Sequence, residues 1–195
     1  MRLPAVAVLL VLCAAAARAD VIVETGSGQE FRARIAHRSP VSGQAVELRA
    51  TGTGLHKKRW HKLYAACFYI RADARPGADP FASFIAGDYD KLLVLRFLRA
   101  MEADQLVDLC RDRMRERLLA AQEPALAAFL ALFAEPLAAG QELSFSAAPA
   151  QGLEVYRDGR PLGGTEELGV IAAFWAAWFG EDPINEDLKR GLAGF

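Results

Sequence analysis

Side chains able to do chemistry are few in this chain, and their spacing excludes more than it suggests. His37, His56 and His61 do not recur at metal-ligand spacing, so they read as surface or partly buried histidines and no metal site is expected. Cys67 and Cys110 each sit in an apolar pattern, with no Cys-x-x-Cys anywhere. They read as two buried thiols, with a disulfide as the alternative. The densest chemistry is the basic run His56-Lys57-Lys58-Arg59, which leads into a strand-forming segment carrying Tyr64. Such a run either solvates the approach to a strand or holds an anion. Tyr64 is either a core tyrosine with its hydroxyl on the backbone or a ligand contact. No catalytic residue and no cofactor is assigned on these residues.

The elements that position this run are legible from hydrophobic period. Residues 59–71 are rich in β-formers, with Trp60, Tyr64, Phe68 and Ile70 on one face and Leu63, Ala65, Cys67 and Tyr69 on the other. Both faces are apolar, which predicts a central strand covered on both sides. Residues 91–98 repeat the pattern. Upstream, Val21 and Val23, then Phe31, Ala33 and Ile35, then Val46, Leu48 and Ala50 alternate as short strands. Gly26-Ser27-Gly28 and Ser39-Pro40 separate them, and Thr51-Gly52-Thr53-Gly54 reads as a flexible turn. Residues 73–80 read as a loop.

Beyond residue 100 the period lengthens. Ala103, Leu106, Cys110, Met114 and Leu118 predict a helix, and Pro124 opens another with Leu126, Phe129, Leu130 and Phe133 inward. Leu143, Phe145 and Ala147 mark a strand, and Asp158-Gly159 turns a hairpin between residues 153–157 and 160–162. Thr165 is placed to cap a helix whose buried stripe is Leu168, Ile171, Phe174, Trp175 and Trp178. A short helix over residues 185–190 ends the chain. Strands and helices are segregated, which predicts one α+β domain over residues 20–195, an antiparallel sheet with helices on one side.

The N-terminus reads as a cleavable export signal. Met1 and Arg2 precede an apolar run, and Ala17-Arg18-Ala19 supplies small residues where a signal peptidase cuts, so residues 1–19 are expected to be removed. The mature chain is then periplasmic or secreted. No second apolar stretch reaches spanning length, so no membrane span is expected after cleavage. The formal charge of −1 falls further once Arg2 and Arg18 leave, which argues against a nucleic-acid partner.

Two stretches resemble a known family. Gly54-Leu-His-Lys-Lys-Arg-Trp-His-Lys-Leu-Tyr-Ala-Ala-Cys-Phe-Tyr-Ile70 is similar to the signature of exported bacterial chalcone-isomerase-like proteins. So are Val155-Tyr-Arg-Asp-Gly-Arg-Pro-Leu162, Phe174-Trp-Ala-Ala-Trp-Phe-Gly-Glu-Asp-Pro183 and Leu188-Lys-Arg-Gly-Leu192. The resemblance covers most of residues 45–195. It implies an open-faced β-sandwich, a large antiparallel sheet under a layer of helices, with a cleft between them. Plant members close a flavanone ring there, and plastid relatives bind fatty acids without catalysis.

In the family an arginine before the long strand and a hydroxyl on that strand meet the ligand's anionic oxygen. Tyr64 matches the hydroxyl. His56 stands where bacterial relatives have the arginine, with Lys57, Lys58 and Arg59 following, and Lys57 and Arg59 are carried as further candidate ligand contacts. The plant enzymes' helical tyrosine and asparagine have no counterpart, since residues 101–135 contain neither type. The resemblance therefore implies a non-catalytic binder of a small amphipathic acid such as a fatty acid. An envelope scaffold and a chalcone-isomerase-type intramolecular lyase are the alternatives.

Overall fold

Apolar residues on both faces put the stretch His61–Arg71 in the middle of a sheet, and the computed structural model of the protein places it there. The structure describes residues 20–38, 43–149 and 151–195; the export segment at residues 1–19 and the Ser39-Pro40 break lie outside them. Strands β1 (Val21–Glu24) and β2 (Gln29–Arg32) form a separate hairpin. Glu24 closes its turn, accepting from the backbone N–H groups of Gly26 and Ser27 at 2.9 and 2.7 Å. Among the described residues, seven further strands form one antiparallel meander in sequence order. They are β3 (Arg34–Arg38), β4 (Ala45–Lys58), β5 (His61–Arg71), β6 (Lys91–Phe97), β7 (Glu142–Ala148), β8 (Gly152–Arg157) and β9 (Arg160–Thr165).

Five helices fill the longer connections and the C-terminus: α1 (Pro80–Ala86), α2 (Ala103–Arg115), α3 (Glu123–Leu130), α4 (Leu168–Phe179) and α5 (Glu186–Leu192). They cover one face of the sheet. Tyr64, Phe68, Leu93, Leu95 and Phe145 pack there against Cys110, Met114, Phe129, Phe174, Trp175 and Trp178. On the opposite face Ala65, Cys67, Tyr69, Leu92 and Val94 lie under Phe31 and Leu48. The sheet curls enough for His37 on β3 to meet Ser146 on β7, Nε2 to Oγ at 2.8 Å, although three strands separate them. The α+β architecture, an antiparallel sheet under a layer of helices, is the one expected.

Several local expectations are corrected. Thr51–Gly54 is no turn but the middle of β4, a 14-residue strand. The glycines are there because α5 presses its backbone onto them. A Cβ at Gly52 would sit 2.1 Å from the carbonyl oxygen of Gly191, and one at Gly54 would sit 2.7 Å from Leu188. The actual turn is Arg59-Trp60, with Arg59 at φ 56° and Lys58 paired to His61. Trp60 therefore leaves the core face assigned to it and is 90% exposed.

The chain bends at Ala33, so Phe31 and Ile35 belong to different sheets. Residues beyond the Asp73–Pro80 loop form α1, too short for a periodic signal; the side chain of Asp79 caps it, accepting from Phe81 and Ala82. Thr165 ends β9, and Glu167 is the cap of α4, whose first residue Leu168 is exposed rather than buried. Cys67 and Cys110 are free buried thiols on opposite faces of the sheet.

Candidate functional site

Strand register brings His56 of β4 directly opposite Tyr64 of β5. Both side chains point to the helix-covered face, where their rings stack with centroids 4.9 Å apart at 18°. Phe97 of β6 and Trp178 of α4 complete the surround, their rings 5.6 and 6.3 Å from that of Tyr64. Tyr64 is fully buried and His56 nearly so. Two strands and one helix thus fix a phenol, an imidazole and an indole against an apolar wall.

The polar atoms of this cluster are unsatisfied. Tyr64 Oη, His56 Nδ1 and Trp178 Nε1 are all buried and have no hydrogen-bond partner. A buried polar group left unpaired costs about 1–3 kcal/mol, so three around one ring are unusual in a core retained for packing alone. Burial pushes the His56 imidazole down to about 4, and the charge of Lys58 acts in the same direction. Burial likewise holds the Tyr64 phenol well above its ordinary range. Near neutral pH the cluster is therefore uncharged. It can donate and accept hydrogen bonds to a carboxyl oxygen, but Tyr64 supplies no phenolate base and His56 no standing cation.

The remaining expected contacts part company with this pair. A register shift follows His56, and Lys57, Lys58 and Arg59 are exposed at the hairpin tip. Trp178 was read from sequence as core packing only. Spacing locates a buried indole but says nothing of its N–H.

Residues 32–194 match the chalcone isomerase-like family. The chain belongs to that family. Among solved structures it is similar to a fatty-acid binding protein of Arabidopsis thaliana, at 15% identity and a TM-score of 0.71, over 89% of this chain and 96% of that one. No curated protein matches. At that identity the likeness shows the fold, the curled antiparallel sheet under helices that the family resemblance implied.

A second buried titratable group of this family member escaped the sequence reading. Lys91 opens β6 at the far end of the ladder from Tyr64, 5% exposed. Its ammonium donates to the carbonyls of Phe84 and Ile85 at 2.9 and 3.1 Å and so caps the C-terminus of α1. Burial lowers it to about 8. It lines a cavity of about 210 Å³ with Tyr89, Ile171 and Trp175. The sequence signal was a lysine directly before the apolar run Leu92–Leu95.

Proposed function

We propose that the protein binds a small amphipathic carboxylic acid, a fatty acid or a close analogue, without catalysis. The acid's carboxyl group meets Tyr64, His56 and Trp178 between sheet and helices. The observation that carries this reading is that three buried polar atoms without hydrogen-bond partners belong to rings packed in one aromatic cluster, Tyr64 stacked on His56 and beside Trp178. A carboxyl group offers acceptors to the phenol and indole and a partner to the imidazole, while an alkyl chain suits the aromatic surround. The Arabidopsis neighbour is a fatty-acid binding protein, which favours the same ligand class. Residues 101–135 lack tyrosine and asparagine, so the helical donors of the plant isomerases have no counterpart. We place the protein, after cleavage following Ala19, in the periplasm or outside the cell of a bacterium.

Titration with dodecanoate tests this. Tyr64→Phe is expected to weaken binding by about 10-fold or more, the worth of one hydrogen bond to a carboxylate. The same substitution removes an unsatisfied hydroxyl, so the free protein should gain roughly 1 kcal/mol in urea unfolding. An affinity unchanged by Tyr64→Phe, or no binding by the parent protein, refutes the reading.

A further inference from the structure

The hairpin between β4 and β5 ends in a feature that the ligand cluster does not use. Arg59 and Trp60 form a two-residue turn, and the Trp60 ring is 90% exposed, the most exposed large apolar side chain among the described residues. The other two tryptophans, Trp175 and Trp178, are buried. Lys57, Lys58 and Arg59 flank Trp60 on one side and His61 and Lys62 on the other, while the whole chain carries a formal charge of −1. The tip therefore carries four formal positive charges within residues 57–62 and no acidic residue. Among the described residues Lys57, Lys58, Arg59 and His61 make no ion pair; Lys62 donates to the carbonyl of Gly26 at 2.6 Å.

Leaving a tryptophan bare on a turn exposes a large apolar surface to water for no gain in packing. An amphipathic ring at the level of the headgroups removes that cost, and lysine and arginine beside it are drawn to anionic lipid. A turn between two strands is a rigid mount for such a wedge. We propose that the Arg59-Trp60 tip is a docking element for an anionic phospholipid surface. Trp60 inserts at the interface, and Lys57, Lys58 and Arg59 contact lipid phosphates. The tip lies three residues beyond His56, roughly 10 Å along the strand. Docking would hold that end of the β4–β5 ladder at the membrane. The proposal stands on the tip alone and does not depend on what Tyr64 and His56 bind.

Vesicles of phosphatidylglycerol and phosphatidylcholine, against phosphatidylcholine alone, provide the test, read by tryptophan emission. With the anionic vesicles the emission of Trp60 is expected to move to shorter wavelength and to be quenched by brominated lipid, and added salt should reverse both. Each cation near such a surface is worth about fivefold in affinity, so Lys57→Ser, Lys58→Ser and Arg59→Asn together should weaken binding about 100-fold. Asparagine tolerates the positive φ of position 59. Trp60→Ser should abolish the spectral change. Parent and variants are compared in the same form, processed after Ala19 as proposed above, so the apolar segment before that site takes no part. Tyr64→Phe should leave vesicle binding unchanged, which separates this proposal from the ligand site. Trp60 emission unmoved by anionic vesicles, or equal binding by the parent and the triple variant, would overturn it.

Discussion

Gly52→Ala is expected to destabilise the protein by about 3 kcal/mol or more, with loss of the seating of α5. The added methyl would lie 2.1 Å from the Gly191 carbonyl oxygen and 2.7 Å from the Gly194 nitrogen. Both are backbone atoms, so no side chain can swing away, and relief requires α5 to lift off β4. That lift would also break the hydrogen bond from Thr51 Oγ1 to the Leu192 carbonyl at 2.6 Å. Gly28→Ala is the control. Its position has open space around it and a φ of +77°, so only backbone strain is added, about 1 kcal/mol. Urea unfolding of the two variants measures the difference. Equal, small losses in both would show that α5 does not press on β4.

The second large effect is a loss of stability in acid, traceable to His56. Burial sets its folded pKa at about 4, below the ordinary 6.5, with the charge of Lys58 adding to the shift. Above pH 6.5 both folded and unfolded chains hold a neutral imidazole, and His56 contributes no pH dependence. As pH falls from 6.5 towards 4 the unfolded chain takes up the proton first. Stability should then drop by about 3 kcal/mol across that window. His56→Phe is expected to remove most of this slope. His37, also lowered by burial, supplies a component of the same sign that survives the substitution. Unfolding free energies between pH 7 and pH 4 test the claim; parallel profiles for parent and variant would defeat it. A carboxylate bound beside His56 would favour the imidazolium, so dodecanoate should flatten the parent's profile as well.

Much of the fold was legible because its signals are local. The two apolar faces of residues 59–71 identify a central strand without knowledge of what covers it, and β5, which starts at His61, is buried on both sides. Asp158-Gly159 announces a tight turn through two residues that accept positive φ, here 49° and 75°. Phe174, Trp175 and Trp178 recur at helical spacing and are buried. Where reading failed, the deciding atoms lay far along the chain. A Gly-x-Gly looks the same whether the backbone turns or another backbone presses on it. The choice for Gly52 and Gly54 was made by residues 188–194. Trp60 alternated correctly for a strand, but the strand began one residue later, and a turn has no inward face.

The site divides along the same line. The sequence by itself determined that a tyrosine would stand on a central strand behind a basic run, since each is a property of neighbouring residues. Only the tertiary structure decided that His56 stacks on Tyr64 while Lys57 and Arg59 turn to solvent, and that the Trp178 ring from α4 packs beside Tyr64. Hydrogen-bond satisfaction is a relation between atoms on separate elements. A chain can specify which polar groups it buries, but their lack of partners emerges only when sheet and helices close over them.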